Sequence, residues 1–459
     1  RILFVLRGKP FERCFSALGL GVDLGFDDDT HFEIHGIHGC IDHHEENGTL
    51  ANVRSRATEG STAPTTSGSI HLVWRSGYAR RHPHACIQGG ATAMITGKQL
   101  FTTLADGKLT VEIVERAFPQ PTSNQVLVRM EAAPINPSDL AILTSGADLE
   151  NADYTPGKFV ADMPEPFNGA QKARHGQRLP AGNEGAGVVV AAGDQAQALV
   201  GQRVACVPGS AFSQYAIADA GMCLPLGDVS SEDGASAFVN PMAALGFVET
   251  ARMEGHKAII HLAAASNLGQ MLVKICQEDG LPLVNVVRSQ AQVDLLEELG
   301  AEWVVNSSDD DFMDQLRTAI DATDAFCGFN PIGGGRSTDA CFKAMEQVAT
   351  SRMTEFSRYG SNQPKKMYIY GRMDLTPTTL TSSYGFAWTL SGWLLTPFLE
   401  VAGLETMTRM RQRVLDNITT TFSSQYKRKV SLEEMVTRDA VMDYRQTKTG
   451  EKYLVLPQA

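Results

Sequence analysis

The chain has 459 residues, of which 43% are hydrophobic and 20% are charged, and this composition predicts two or three globular domains with substantial cores. A net charge of -12 argues against a general nucleic-acid-binding protein. The eight cysteines have no paired spacing, which argues against a disulfide framework and against a zinc knuckle. We therefore expect a reducing compartment, the cytoplasm, and no membrane partner.

Residues 1–93 differ in pattern from the rest of the chain. All 16 methionines lie at or after Met94, where a well-patterned sequence starts, whereas the preceding residues show no sustained helical or strand period. We expect the folded unit to start at Met94, and the irregular extension to be disordered, a leader to an organelle, a fragment of another module or a gene-model artefact. One cluster in the extension offers metal ligands at a spacing that fits no structural site, so adventitious metal affinity is favoured: His31, His35, His38, Cys40, His43 and His44.

From residue 257 onward, apolar segments alternate with amphipathic ones. Five segments have the length and composition of buried strands, and helical patterns separate them: 257–261, 282–288, 302–307, 324–330 and 367–371. This alternation predicts an α/β fold with a doubly wound parallel sheet that helices cover on both faces, the Rossmann architecture of nucleotide-binding domains.

The first strand-to-helix turn of this unit is the decapeptide HLAAASNLGQ at 261–270. In a dinucleotide fingerprint of the form G-x-G-x-x-G, the glycines allow a tight turn and a close approach of the pyrophosphate to a helix N-terminus. Here Ala264 and Ser266 stand at the first two glycine positions, and only Gly269 is retained. Because the flanking pattern is strand, turn and helix, we expect these turn residues to bind the cofactor: Ala264, Ser266, Asn267, Leu268 and Gly269.

The residue that follows the second strand distinguishes the two nicotinamide cofactors. NAD-binding proteins place a carboxylate about 20 residues beyond the fingerprint, whereas Arg288 stands at this place with no acid beside it. A guanidinium binds a 2'-phosphate through two hydrogen bonds, and a carboxylate would repel it. The sequence therefore favours NADPH, with a surface arginine at a strand end as the alternative.

Several stretches together resemble the medium-chain dehydrogenase/reductase superfamily, and the resemblance runs from Met94 to Ala459. Within that superfamily the chain is most similar to the branch of zinc-free quinone oxidoreductases and enoyl thioester reductases. The stretches that carry the resemblance are EAAPINPSDLAIL at 131–143, PAGNEGAGVVVAAG at 180–193, FVNPMAALGFVE at 238–249, the turn at 261–269, and TGEKYLVLP at the carboxyl end.

The resemblance implies a GroES-like, β-rich catalytic domain at 94–240, completed by 425–459, and an NADP-binding domain at 241–424. It also implies a homodimer that acts on a small molecule in the cleft between the domains. Zinc alcohol dehydrogenases of the superfamily have a cysteine and a histidine where this chain has Asn136 and Asn183. Neither amide suits a catalytic zinc, so we expect no metal.

Without a Lewis acid, an alkoxide has no means of stabilisation, whereas an enolate needs only one or two hydrogen-bond donors. This chemistry favours a metal-free oxidoreductase that transfers hydride from NADPH to a quinone or to an alkene conjugated with a carbonyl, as in an enone or enoyl thioester. A non-catalytic NADPH-binding protein and a zinc-type alcohol dehydrogenase with displaced ligands are the alternatives.

The resemblance also implies catalytic candidates. Enoyl reductases use a tyrosine shortly after the NPSD segment, and here the first tyrosine is Tyr154, within an insertion at 149–179; a plain loop tyrosine is the alternative. Asn136 lies in the NPSD segment itself. Asn240 starts a helix beside the expected nicotinamide, where it either orients substrate or caps the helix.

Further cofactor contacts implied by the resemblance lie at strand ends, where open parallel sheets bind ligands: Asn306, Asn330, Tyr370 and Gly371. We interpret His261 as a core histidine. The longest apolar stretch, at 384–404, approaches the length of a membrane span but contains Pro397 and Glu400. We interpret it as a buried or subunit-contact element, with membrane contact as the alternative. The aromatic and apolar residues of the longer segment at 355–400 are interpreted as core packing, with the lining of an acceptor pocket or a dimer contact as alternatives.

Overall fold

The computed structural model describes residues 32–34, 37–41, 51–55, 71–72, 94–144, 146–446, 449 and 452–459. The chain divides into two compact units, 1–91 and 92–459. In the first unit, four short strands form one antiparallel sheet: β1 (Phe32–Ile34), β2 (Ile37–Ile41), β3 (Ala51–Ser55) and β4 (His71–Leu72). The side chains of the histidine-rich cluster lie outside the described residues, and its metal affinity stays a prediction.

The second unit combines a β-rich part with a part in which strands and helices alternate. Its strands are β5 (Thr96–Ala105), β6 (Lys108–Ala117), β7 (Gln125–Pro134), β8 (Asp148–Thr155), β9 (Lys158–Asp162), β10 (Arg178–Pro180), β11 (Gly185–Ala192), β12 (Arg203–Cys206), β13 (Tyr215–Asp219), β14 (Cys223–Pro225), β15 (Ile259–Leu262), β16 (Leu283–Val287), β17 (Trp303–Asn306), β18 (Cys327–Asn330), β19 (Gly333–Gly335), β20 (Lys365–Ile369), β21 (Asp374–Thr378), β22 (Trp388–Gly392), β23 (Arg428–Val430) and β24 (Tyr453–Val455). Its helices are α1 (Leu140–Leu143), α2 (Phe167–Ala170), α3 (Ser231–Gly234), α4 (Val239–Met253), α5 (Asn267–Asp279), α6 (Gln290–Glu298), α7 (Phe312–Thr323), α8 (Ser337–Ser351), α9 (Leu395–Asp416), α10 (Leu432–Met435) and α11 (Arg438–Tyr444).

Two sheets form the β-rich part. One has the order β10-β5-β6-β9-β8, and the other has the order β14-β12-β11-β7-β24-β23, with β13 also paired to β7. Side chains from both sheets share one apolar core, which includes Leu100 and Val111 from the first sheet and Val128 and Val204 from the second. Part of the predicted insertion at 149–179 extends the first sheet through β8 and β9.

The carboxyl end of the chain supplies a strand to the second sheet. Leu454 of β24 pairs with Pro134 of β7 in an antiparallel ladder. The N–H of Ile135 then donates to the carbonyl of Tyr453 at 3.0 Å. This pairing brings Lys452, which directly precedes β24, close to the loop that follows β7.

The alternating part contains a parallel sheet of six strands in the order β17-β16-β15-β18-β20-β22. Counted along the chain this is the order 3-2-1-4-5-6 of the doubly wound fold. The successive residues Ile259 and Ile260 of β15 belong to two separate apolar cores, so the sheet is buried on both faces. The predicted Rossmann fold is therefore confirmed. The sixth strand, β22, was not predicted.

The apolar stretch at 384–404 is only partly buried. Tyr384 is fully buried, and its hydroxyl donates a hydrogen bond to Asp339 Oδ1. Four apolar side chains of the same stretch are between 65% and 82% exposed: Phe386, Leu394, Val401 and Leu404. The stretch is thus buried only in part, since β22 is the edge strand of its sheet, and its role as a subunit contact stays a prediction. In the described ranges, no helix is long and apolar enough to cross a membrane.

Candidate active site

The turn after β15 places the start of α5 at the carboxyl edge of the parallel sheet. Ala263 has a φ of 52°, in the left-handed region that usually favours glycine, so this residue makes the sharp turn. The Oγ of Ser266 caps α5 by accepting a hydrogen bond from the N–H of Gly269 at 3.2 Å. The N–H groups of Asn267 and Leu268 then have no acceptor within the helix, as at any helix start.

Gly269 allows α5 to pack closely on the turn. A Cβ atom at this position would lie 2.0 Å from the carbonyl oxygen of Ala264. This is the role of the third glycine in a dinucleotide fingerprint. Ala264 is itself fully buried, and its N–H donates to the carbonyl of Val286 at 3.2 Å. That hydrogen bond joins the turn to the second strand of the sheet.

Arg288 directly follows β16 and is exposed. Its N–H donates to Gln292 Oε1 at 3.1 Å, and its carbonyl accepts from Ser308 Oγ at 2.9 Å, which fixes its backbone. Because Val286 and Leu262 are register partners, Arg288 lies at the same sheet edge as the turn. Among the residues that the structure describes, no carboxylate pairs with its guanidinium. The side chain is therefore available to an anionic ligand at this edge.

Asn306 and Asn330 lie at the same edge, but their side chains shape the loops that follow their strands. Asn306 Nδ2 donates to Asp309 Oδ1 at 2.6 Å. Asn330 Nδ2 donates to Thr338 Oγ1 at 2.9 Å, and its Oδ1 accepts from the N–H of Ile332 at 2.7 Å. These hydrogen bonds give both asparagine side chains partners within the protein. Contact of Asn306 and Asn330 with a cofactor stays a prediction.

Tyr370 contacts His261 in the interior, between the parallel sheet and the helices that cover it. The Tyr370 hydroxyl lies 2.8 Å from His261 Nε2, and the ring of Phe247 lies 4.7 Å from the Tyr370 ring. His261 is fully buried, as expected of a core histidine, and burial lowers its pKa to about 3, so the ring is neutral. Gly371 approaches Pro331 so closely that a Cβ atom would lie 2.6 Å from the Pro331 carbonyl oxygen.

Asn136 is buried beside Glu184, which joins two parts of the site. Asn136 Nδ2 donates to Glu184 Oε1 at 2.9 Å. Glu184 Oε2 accepts from the N–H groups of Phe238 and Val239, at 2.9 and 2.8 Å, where α4 starts. Asn136 Oδ1 is buried and has no partner among the described residues. Because buried polar atoms are almost always hydrogen-bonded, this oxygen is a candidate acceptor for a bound ligand.

Asn240 is the second residue of α4, and its side chain does not cap the helix. Glu184 already supplies the acceptor for the first N–H groups of α4, so the capping alternative for Asn240 is wrong. In the described part of the chain, the Asn240 amide makes no hydrogen bond. Its donor and acceptor atoms are available to substrate, although that role stays a prediction.

Asp139, which is buried, and Lys452, which is partly buried, complete a polar cluster with the buried Asn136 and Glu184. Asp139 accepts from the N–H groups of Asn136 at 2.8 Å and Asn183 at 2.9 Å. Burial raises the pKa of Asp139 to about 7, and it also raises the pKa of Glu184. Burial lowers the pKa of Lys452 to about 8, against the attraction of both carboxylates. Asp139 and Lys452 therefore change protonation near neutral pH, which suits proton transfer.

A contiguous path of polar contacts joins this polar cluster to the cofactor turn. Lys452 Nζ donates to Ser236 Oγ at 2.7 Å, and Ser236 Oγ lies 2.9 Å from the Tyr426 hydroxyl. Tyr426 also hydrogen-bonds Ser424, whose Oγ accepts from Asn267 Nδ2 at 3.1 Å. Because Asn267 is the first residue of α5, the path ends at the expected pyrophosphate site.

Tyr154 lies in β8 and not in a loop, so the plain loop interpretation is wrong. Its hydroxyl donates to the carbonyl of Leu149 at 3.1 Å, and its ring lies 5.4 Å from the ring of Phe159 in the neighbouring strand. Both contacts are with its own sheet. The catalytic role of Tyr154 stays a prediction.

One group of possible metal ligands comes together in the described part of the chain: Glu254, His256 and Cys327. Lys366 Nζ lies 2.6 Å from Glu254 Oε1, so this carboxylate already has a cationic partner. Burial raises the pKa of the Cys327 thiol to about 12, which disfavours the thiolate that a metal needs. Cys327 starts β18, so the group lies at the sheet edge opposite the cofactor turn. The ion pair between Lys366 and Glu254 therefore accounts for the position of this carboxylate, and the group carries no argument for a metal site.

The sheet edge has the donor set that a dinucleotide needs. The N–H groups at the start of α5 suit a pyrophosphate, and the guanidinium of Arg288 suits a 2'-phosphate. The unpartnered Asn136 Oδ1 suits a hydrogen-bond donor of the ligand. The residues therefore fit a phosphorylated dinucleotide. Sequence reasoning missed Asp139, Glu184 and Lys452, although each lies in a stretch that carries the family resemblance.

Comparisons with known proteins match both parts of the second unit. The family described as Alcohol dehydrogenase GroES-like domain matches residues 122–228. The mitochondrial enoyl-[acyl-carrier-protein] reductase of Rattus norvegicus is 27% identical over 234 residues, which cover 47% of this chain and 54% of that protein. Prostaglandin reductase-3 of Mus musculus is 25% identical over 223 residues, which cover 48% and 53%. The chain thus spans about half the length of these curated relatives.

Solved structures share the fold over most of the chain. A protein of Mesorhizobium loti, provisionally named an NADPH:quinone reductase, is 26% identical, with a TM-score of 0.61 over 79% of this chain and 98% of that one. The quinone oxidoreductase of Escherichia coli in complex with NADPH is 16% identical, with a TM-score of 0.58 over 78% and 100%. In its sheet order and its GroES-like part, and by comparison with these relatives, the chain is similar to the medium-chain dehydrogenase/reductase superfamily, and within it to quinone oxidoreductases and enoyl thioester reductases.

Proposed function

We propose that the protein is an NADPH-dependent oxidoreductase that transfers hydride to a quinone or to an alkene conjugated with a carbonyl, as in an enone or enoyl thioester. The observation that carries the proposal is the polar cluster of Asn136, Asp139, Glu184 and Lys452, joined by polar contacts to a turn that suits a pyrophosphate. Two of the similar proteins, an enoyl reductase and a protein provisionally named an NADPH:quinone reductase, support the same class of reaction.

In this proposal, the N–H groups at the start of α5 and the guanidinium of Arg288 hold the cofactor, which supplies the hydride when bound. Hydride addition to a conjugated alkene leaves negative charge on the carbonyl oxygen, and a hydrogen-bond donor must hold it. The Asn240 amide is the candidate donor, because it has no partner in the described residues. Lys452 releases a proton near neutral pH and so serves as the candidate source of the proton that completes the reduction.

Replacement of Arg288 by Asp tests the cofactor site. We expect Arg288→Asp to weaken NADPH binding about tenfold to hundredfold, since a charge-assisted hydrogen bond contributes about 1.5–3 kcal/mol, and to leave NADH binding nearly unchanged. Nicotinamide fluorescence in titrations of the full chain measures both affinities. Arg358→Asp, at an exposed arginine far along the chain, is the matched control and should bind both cofactors normally. Equal weakening of NADPH and NADH would contradict the assignment of Arg288 to the 2'-phosphate.

Turnover with a small panel of acceptors separates the proposed enzyme from the alternatives. Oxidation of NADPH by a benzoquinone, an enone or a crotonyl thioester would support the reductase. Tight NADPH binding without turnover of any acceptor would favour the non-catalytic NADPH-binding protein. Turnover that is lost with a chelator and restored by zinc would favour an alcohol dehydrogenase with displaced ligands.

Exposed apolar residues before and after an edge strand support a homodimer, which we propose as the working form. Phe386 precedes β22 in the sequence, Leu394, Val401 and Leu404 follow it, and β22 is the last strand of its sheet among the described residues. A second copy that pairs at this edge would cover both features at once. In this proposal each chain binds one small-molecule acceptor. We expect no nucleic-acid partner.

A further inference from the structure

Two cysteines stand directly opposite each other in the second sheet of the β-rich part. Cys206 of β12 and Cys223 of β14 are register partners in an antiparallel ladder. Opposed residues in such a ladder have Cα atoms about 4.5 or 5.5 Å apart, depending on the type of pair. Disulfides span Cα separations of about 4.4–6.8 Å, so either type of pair suits a disulfide. The backbone therefore needs no large movement to accept one.

The two thiols also lie on the same face of the sheet. Cys206 and Cys223 both belong to the apolar core of the β-rich part, whereas their neighbours Ala205 and Leu224 belong to the core on the other side. The two thiols interact electrostatically, and the Cys223 Sγ donates to the carbonyl of Asp219 at 3.5 Å. Both cysteines are free thiols in the structure. Side-chain direction and proximity thus agree with the strand register.

We propose that Cys206 and Cys223 form a reversible intramolecular disulfide when the protein meets a small hydroperoxide. The Cys223 thiolate attacks the peroxide, the O–O bond breaks, hydroxide leaves, and Cys223 becomes a sulfenic acid. The Cys206 sulfur then attacks the Cys223 sulfur, the S–O bond breaks, and water leaves as the S–S bond forms. Two thiols lose two electrons and two protons in total, and the peroxide is reduced to water or, for an organic peroxide, to water and an alcohol.

The surroundings of Cys223 make it the attacking sulfur. Interaction with the Cys206 thiol lowers the pKa of Cys223, and the positive charge of Arg411 adds to this shift, whereas burial and the negative charge of Asp219 oppose it. The Arg411 guanidinium lies next to this cysteine because it donates to the Cys223 carbonyl. The preceding residues Gly221 and Met222 are exposed, whereas Cys223 is only 4% exposed, so an oxidant must pass the covering residues to reach the thiol. A small peroxide passes such cover more readily than a bulky thiol reagent.

Interaction with the Cys223 thiol and burial raise the pKa of Cys206, which makes Cys206 the resolving partner. Two cysteines of the parallel-sheet part provide a contrast, because burial raises the pKa of Cys327 and of Cys341 to about 12 and neither has a cysteine as register partner. We therefore expect oxidation to select the Cys206 and Cys223 pair over these buried thiols.

Peptide mapping of the oxidised full chain tests the proposal. The reduced protein is exposed to hydrogen peroxide, denatured, alkylated and digested with and without a reducing agent. We expect one peptide that links Cys206 to Cys223, an intact mass lower by two hydrogen atoms, and full reversal by dithiothreitol. Cys341→Ser is the matched control and should form the same link, whereas Cys223→Ser should not.

Peptide maps in which both cysteines of the natural chain remain alkylated after exposure would overturn the proposal. A link from either cysteine to a different one would overturn it equally. This readout does not depend on the folding of any variant, nor on the proposed reductase activity. Failure of the acceptor panel and failure of disulfide formation are thus separate results.

Discussion

Position 269 requires glycine because there is no space for a side chain, and not because its backbone adopts a conformation that only glycine tolerates. The left-handed residue of the turn is Ala263, with a φ of 52°, whereas a Cβ atom on Gly269 would meet the Ala264 carbonyl oxygen at 2.0 Å. Ala264 fills part of the core, so a methyl group is tolerated at the first glycine position of the fingerprint. A fingerprint with one glycine is therefore consistent with a dinucleotide turn.

Gly269→Ala should destabilise the turn. A Cβ atom that close to a backbone oxygen must push α5 away from the sheet, and overpacking of this kind costs about 1–3 kcal/mol. Urea unfolding monitored by circular dichroism measures the loss, and NADPH binding should weaken with it. Gly392→Ala is the control, because no heavy atom lies within 4 Å of a Cβ atom there, and it should change stability by less than about 0.5 kcal/mol. Equal stability of the two variants would contradict the packing argument.

The site residues differ in how far the sequence could identify them. Gly269 and Arg288 follow from their positions after predicted strands, since strand ends of a parallel sheet share one edge. Asp139, Glu184 and Lys452 come from distant parts of the sequence and meet because β24 pairs with β7 and Glu184 caps α4. Pairing between strands that are far apart in the sequence produces no periodic pattern of residues that could predict it. The same holds for Cys206 and Cys223, whose opposition depends on strand register.

At the scale of elements, the polar cluster stands where β7, β11, β24 and α4 meet, and its charges affect stability. Burial raises the pKa of Asp139 to about 7, from an ordinary value of about 3.9. Between pH of about 4 and 7, the folded protein therefore holds a proton that the unfolded chain has released. The free energy of unfolding falls as the pH rises through this window, by linkage.

Lys452→Met should steepen this fall. Removal of the ammonium leaves the Asp139 and Glu184 carboxylates without its attraction, so the pKa of each rises further and the decline in stability continues above pH 7. Urea unfolding at pH 5, 7 and 8 provides the free energies. Lys257→Met, at a mostly exposed lysine in another ion pair, should keep the natural pH profile. Parallel profiles for the Lys452 variant and the natural chain would show that Lys452 does not stabilise these carboxylates.

The elements of the parallel sheet were largely predictable, and β22 shows why one was not. Each of the five predicted strands has at least half of its residues buried, and each is a short apolar run between amphipathic helices. β22 is an edge strand without a fully buried residue, and it lies inside a longer apolar stretch whose other residues are loop and helix. Such a strand has no regular alternation of buried and exposed residues, so its sequence pattern does not distinguish it from the apolar residues on either side.

For the whole molecule, the proposed homodimer gives a direct prediction. Val401→Glu together with Leu404→Glu places two charges on the exposed apolar surface, and burial of unpaired charge at a subunit contact is costly. We expect the natural chain to be a dimer and the double variant a monomer by size-exclusion chromatography with light scattering. Val200→Glu, at an exposed valine of the β-rich part, should remain dimeric. A monomeric natural chain would refute the dimer.

The pairing of β24 with β7 also sets an order on the assembly of the protein during synthesis. Every strand and helix of the parallel sheet lies between these two partners in the sequence. On the ribosome, the nucleotide-binding part emerges and can fold while β7 still lacks its neighbour. The β-rich part, although most of it is made before the parallel sheet, acquires β24 and Lys452 only after that sheet has been synthesised. Contacts between such distant segments form slowly, because a long loop must close first.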